Sequence, residues 1–170
     1  MTPLANLLTQ LRVNWHVPRT EQSGTASLVC RFAEGISEDR LRDIIKDPLP
    51  RELREMWSIS QESYLFRDDA YGQWGLHMLS PYDAENETAL FREERVADAD
   101  FGDLVIGTFI GDSDLLLIRC NPDAADFGHL MVATPLYRRT DWPIVASSVF
   151  DFLQGYALAE GGKFWEERKL

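Results

Sequence analysis

The chain has 170 residues, with 17 lysines and arginines against 28 aspartates and glutamates, a formal net charge of -11 and 45% hydrophobic residues. That length suits one domain burying about two thirds of its unfolded surface, so neither a disulfide nor a metal is needed for folding. The charge argues against direct binding to nucleic acid or an anionic membrane, and no apolar run approaches the ~20 residues of a membrane helix.

Thr2-Pro3 predicts a helix start, with a capping hydroxyl and proline at the first helical position. Leu4, Leu7, Leu8 and Leu11 then form one apolar stripe. Asn6, Thr9 and Gln10 interrupt the leucines, and there is no basic leader, so a secretory signal is not expected. Residues 18–24 are polar and turn-rich and read as a loop. Leu28, Cys30 and Phe32 alternate with Val29 and Arg31, the pattern of a short strand.

Ser37 is placed to cap a helix carrying Leu41, Ile44 and Ile45, which should stop near Asp47 because Pro48 disfavours a helical residue before it. Leu49-Pro50 opens another, with Leu49, Leu53, Met56 and Trp57 on one face. Strands are expected around Tyr64–Phe66 and Trp74–Leu79, separated by a turn at Asp68, Asp69 and Gly72. Ser80-Pro81-Tyr82-Asp83 is a stronger helix start: a cap, a proline and an acid at the positive end of the helix dipole. This helix should run to about Val96, with Leu90 and Phe91 inward and Glu85, Glu87, Glu93 and Glu94 in water.

Asp103–Ile110 and Asp114–Cys120 are two short runs joined by a small polar turn, a hairpin. Leu104–Ile106 and Leu115–Ile118 do not alternate with polar residues, so both faces should be covered and the hairpin should sit mid-core. After a loop at 121–128, His129–Ala133 begins a strand expected to continue through Leu136 and Tyr137. Ser147 or Ser148 caps the last helix, whose wide apolar side of Val149, Phe150, Phe152, Leu153, Tyr156 and Ala157 should pack on the sheet. Gly161-Gly162 ends it, and Lys163–Leu170 should form a tail anchored by Phe164 and Trp165. Strands in the middle, with helices before, between and after, give an α+β fold with a central, largely antiparallel or mixed sheet packed by flanking helices.

Acidity is regional. From Tyr82 to Asp126 twelve carboxylates face only Arg92, Arg95 and Arg119, a local charge of -9. Such a run is ordinarily a solvated surface; its functional alternative steers a basic protein partner electrostatically. On that alternative Asp68, Asp69, Asp83, Glu85, Glu87, Asp112, Asp114, Asp123 and Asp126 form the candidate partner-binding face. Tyr64, Tyr71, Trp74 and Tyr82 lie nearby in sequence and are available as anchors or as core.

Signatures of catalysis are sparse, and the chain is expected to be non-catalytic, with no metal and no cofactor. Gly107 and Gly111 flank a strand and not a strand-to-helix turn, so they do not make a phosphate cradle. Asp112 and Asp114 begin like a calcium loop, but Leu116 occupies the fifth position and the turn glycine is missing. His77 and His129 lie among apolar residues and read as structural, and Cys30 and Cys120 read as buried free thiols, which suits a reducing, cytoplasmic setting.

Three segments together resemble the SUKH superfamily of fungal cell-wall assembly regulators and bacterial immunity proteins. They are Leu49-Pro50 with Leu53, Met56 and Trp57; Phe101-Gly102-Asp103-Leu104-Val105-Ile106-Gly107 through Gly111-Asp112 to Leu115; and Trp142–Leu153 with Gly162-Lys163-Phe164-Trp165. They cover roughly residues 38–166; Ser58-Ile59-Ser60 departs from the asparagine-glycine turn frequent in the family, and residues 1–36 lie outside the match. The resemblance implies a single SUKH-like α+β domain over 1–170, no known catalytic machinery and a binding role. It most often implies neutralisation of a cognate bacterial toxin, frequently a nuclease, by direct contact. The alternative it implies is an intracellular scaffold or regulator of the cell-wall assembly type.

Overall fold

The computed structural model describes residues 1–22, 24 and 26–166. Strands β1 (Arg19–Thr20), β2 (Ser27–Phe32), β3 (Ser63–Asp68), β4 (Gly75–Met78), β5 (Asp103–Ile110), β6 (Leu115–Arg119), β7 (Leu130–Ala133) and β8 (Ile144–Ala146) form one antiparallel sheet in sequence order. Helices α1 (Pro3–Trp15), α2 (Glu38–Ile44), α3 (Arg51–Ile59), α4 (Pro81–Glu94) and α5 (Val149–Leu158) complete an α+β architecture. A meander of this kind sorts its connections by end. The β1–β2, β3–β4, β5–β6 and β7–β8 turns lie at one end of the sheet, the hairpin end. The β4–β5 connection, which is α4, and the β6–β7 loop lie at the other, the α4 end.

Local capping chemistry sets four of the helix starts. Thr2 accepts from the Ala5 N–H, Ser37 from Arg40 and Ser148 from Asp151. At α4 the cap is reciprocal: Asp83 N–H donates to Ser80 Oγ at 3.2 Å, and the Ser80 hydroxyl donates to Asp83 Oδ2 at 3.0 Å.

The β5–β6 hairpin is the middle of the core. Val105, Ile106, Leu116, Leu117 and Ile118 are all 0% exposed, so both faces are covered. Helix α4 lies against β5, and α1 lies against β2, α3 and α5. Thr88 of α4 accepts the Val105 N–H at 2.9 Å and donates to Ala84 O, satisfying a strand amide beside a register shift. Trp57 of α3 is 0% exposed and donates to Leu79 O at 2.9 Å. Its burial contributes about 1.5–3 kcal/mol only because that indole N–H is satisfied.

Several expectations are corrected. The loop at 18–24 contains the two-residue edge strand β1, and α2 stops at Ile44 rather than near Asp47. Helix α4 stops at Glu94; its inner face is Ala84, Thr88 and Phe91, while Leu90 is 46% exposed. Spacing explains this, because 84, 88 and 91 follow i, i+4, i+7 and leave 90 pointing outward. Strand β7 ends at Ala133, and Leu136 and Tyr137 are exposed, since Pro135 cannot donate to a ladder. A short 3-10 turn at Arg139–Asp141 and strand β8 follow instead. Strand β2 buries Leu28, Val29 and Cys30 consecutively and does not alternate. In the tail, Trp165 is buried against Phe109 and Phe152; residues 167–170 lie outside the described residues.

Candidate partner-binding surface

Topology divides the nine candidate carboxylates into two groups. Asp68, the last residue of β3, Asp69 in the β3–β4 turn, and Asp112 and Asp114 in the β5–β6 turn stand at the hairpin end. Glu85, at a cleft with Phe101 and Pro122, and Asp123 and Asp126 in the β6–β7 loop stand at the opposite end, and Asp83 and Glu87 share helix α4 with Glu85. The chain therefore divides the candidates between the two ends of the sheet.

At the hairpin end the acids are largely occupied. Lys163 donates to Asp112 Oδ2 and, at 2.9 Å, to Asp114 Oδ2, with its side chain only 10% exposed. Burial opposes the charged ammonium, and the bonds from Asp112 and Asp114 outweigh it, so the Lys163 pKa is raised. Asp68 Oδ1 accepts from the N–H groups of Ala70 and Tyr71, an Asx-type turn. Asp69 is exposed.

The α4 end has an inner and an outer set. The inner set surrounds Asp103, whose side chain is 0% exposed. Arg119 Nη1 meets Asp103 Oδ1 at 2.6 Å, while Arg139 binds both oxygens, at 2.6 and 2.9 Å. Burial works against ionisation, but the Arg139 and Arg119 bonds prevail and hold Asp103 below the usual carboxylate range. Asp126 belongs to this set, since its Oδ2 accepts from Arg119 Nε at 2.9 Å. Arg95 pairs with Asp98 and reaches the carbonyls of Thr134 and Tyr137, tying the loop after α4 to the loop after β7.

The outer set differs. Among the described residues, Asp83, Glu85, Glu87 and Asp123 form no ion pair. Glu85 lies at a small cleft of about 70 Å³ bounded by Ile45, Asp47, Leu49, Arg92, Phe101 and Leu104. Burial and then the like charge of Asp47 raise its pKa, against the opposing pull of Arg92. Large side chains stand beside these acids: Phe101 on the cleft is 78% exposed, and Tyr82, one helical turn before Glu85, is 65% exposed. Of the other suggested anchors, Tyr71 is 81% exposed at the hairpin end. Trp74 donates to Gly161 O, and Tyr64 stacks on His77 at 4.3 Å.

The nucleophiles are subdued. Burial pushes the Cys30 and Cys120 thiols up to about 12, so neither is a thiolate near neutral pH. His77 Nε2 lies 2.7 Å from Glu62 Oε1, a structural pairing. Among the described residues no three His, Cys, Asp or Glu side chains are grouped to hold a metal, and no helix is long and apolar enough to cross a membrane.

Sequence reasoning missed the Asp103–Arg119–Arg139 network and the exposure of Phe101. Arg119 carried a usable signal, because an arginine closing a run of four apolar strand residues must find a carboxylate if it is buried. Nothing local pointed to Arg139, 36 residues from Asp103. Compared with models of protein families, the chain matches none, and no curated protein matches it.

Proposed function

We propose that the chain is a non-catalytic binding protein of the immunity type, which neutralises a basic toxin domain in the cytoplasm by docking its α4 end onto it. The observation that carries this reading is the combination of Asp83, Glu85, Glu87 and Asp123, which form no ion pair among the described residues, with the exposed rings of Tyr82 and Phe101. Carboxylates of this kind raise encounter rates, while desolvated aromatic anchors supply most of the affinity. Glu85, destabilised as an anion by burial and by Asp47, gains when a partner cation arrives. The SUKH resemblance supports a toxin as that partner, and a nuclease, which must attract nucleic acid, has the complementary charge. Two buried free thiols fit a reducing compartment.

The test is affinity capture of the tagged protein from its native cells at low salt, with bound proteins identified by mass spectrometry and the wash repeated at high salt. One basic, toxin-like protein retained through the high-salt wash is the expected result. Recovery of cell-wall or signalling proteins alone, or of nothing stable, contradicts it.

A further inference from the structure

We propose that the outer face of β2 and β3, at the hairpin end, binds a nucleoside phosphate; this is independent of the partner surface at the α4 end. In a chain of net charge -11, Arg31 and Arg67 form no ion pair with any carboxylate among the described residues. Both line one hollow of about 360 Å³, floored by Val29, which is 3% exposed, and walled by Tyr71, which is 81% exposed. That volume lies in the range of small-ligand sites, about 300–1,000 Å³.

The backbone explains how the two cations come together. Val29 pairs with Arg67 and Arg31 with Tyr64, and directly opposed residues on antiparallel strands share a face. Regular alternation would send Tyr64 and Arg67, three residues apart, to opposite faces. A bulge prevents this: Leu65 and Phe66 together oppose Cys30, and Phe66 adopts a φ of 50°. The Phe66 ring is buried between Trp15 and Tyr156, and its N–H donates to Cys30 Sγ at 3.3 Å. A non-glycine residue is strained in that region and stays there only where its surroundings compel it. The strained bulge thus delivers Arg67 to the same face as Arg31.

Both guanidiniums are already oriented. Arg67 sits 5.1 Å over the Tyr64 ring, and Arg31 donates to the carbonyls of His16 and Cys30. The Arg67 fork suits a dianionic phosphate in bidentate fashion, and Arg31, whose Nη1 is committed to the two carbonyls, adds its charge and its remaining N–H donors. The exposed Tyr71 ring offers a stacking surface for a base. Asp68 also lines the hollow, and its Oδ1 accepts from the Ala70 and Tyr71 N–H groups. Asp69, exposed on the same wall, is an acceptor for ribose hydroxyls.

The test is titration of the whole chain with adenosine 5′-monophosphate, inorganic phosphate and adenosine, each followed by backbone amide NMR. Saturable shifts confined to β2, β3 and the β3–β4 turn are expected with the nucleotide, and binding about tenfold weaker with phosphate alone or adenosine alone. Arg67→Gln, which leaves Arg31 on the His16 carbonyl, should weaken nucleotide binding about tenfold, and Tyr71→Ala should weaken it with no effect on phosphate. Absence of saturation at millimolar nucleotide overturns the proposal. So does phosphate binding as tightly as the nucleotide, or nucleotide binding undiminished in Arg67→Gln.

Discussion

At the hairpin end Asp112 and Asp114 share Lys163, Asp68 closes its own turn and Asp69 is exposed, whereas at the α4 end Asp83, Glu85, Glu87 and Asp123 form no ion pair among the described residues. The difference does not come from a shortage of cations near α4. Arg119 and Arg139 are there, but both are spent on the buried Asp103, and Arg119 also takes Asp126. A count of charges along the chain therefore misstates what a partner meets, because pairing across the fold decides which carboxylates remain available.

The largest effect should come from the inner network. Asp103→Asn leaves two arginines partly uncompensated in a buried site, and we expect a loss of about 3–5 kcal/mol in urea unfolding. Folding lowers the Asp103 pKa, so its contribution is complete above the unfolded value of about 3.9 and is lost as pH falls through the folded one. The variant should accordingly lose part of the acid-induced destabilisation of the parent. An unchanged acid limb would mean that Asp103 does not hold this end together.

Lys163→Met probes the hairpin end and should cost less, about 1 kcal/mol, because the acids it ties are partly solvated. Folding raises the Lys163 pKa, so that contribution is complete below the unfolded value of about 10.4 and is lost as pH rises through the folded one. Unfolding midpoints of parent and variant should converge in strong alkali. Persistence of the full difference there would show that Lys163 acts through its packing on Phe109 and Trp74 instead of through charge.

Glu85→Gln should have the smallest effect and the opposite sign. The folded state penalises the Glu85 anion, so removing the charge should raise the denaturant midpoint slightly at pH 7 and leave it unchanged near pH 3, where the acid is already protonated. Destabilisation at pH 7 would instead mean that Glu85 is a structural partner of Arg92.

What was legible in the sequence followed from local chemistry. Thr2, Ser37, Ser80 and Ser148 cap helices because a hydroxyl needs only the amides of the next turn. The β5–β6 hairpin was readable because burial on both faces removes the alternation of polar residues. What failed depended on distant residues or very short elements. Strand β8 has three residues and exists through its pairing with β7. The bulge at Phe66 answers to a ring cluster with Trp15 and Tyr156, and Lys163 reaches acids 49 and 51 residues earlier. The nine candidate acids could be found by composition, but the pairing of Asp112 and Asp114 with Lys163 and of Asp126 with Arg119 could not.

The most direct measurement compares association rates of Glu85→Lys and Asp69→Lys with the captured partner over a range of salt. Each substitution changes the net charge equally, one at each end. If the α4 end is the docking surface, Glu85→Lys slows association about tenfold at low salt and flattens its salt dependence, while Asp69→Lys alters neither appreciably. Equal slowing by both would reduce the acidic region to a diffuse field, and slowing by Asp69→Lys alone would move the interface to the opposite end of the sheet.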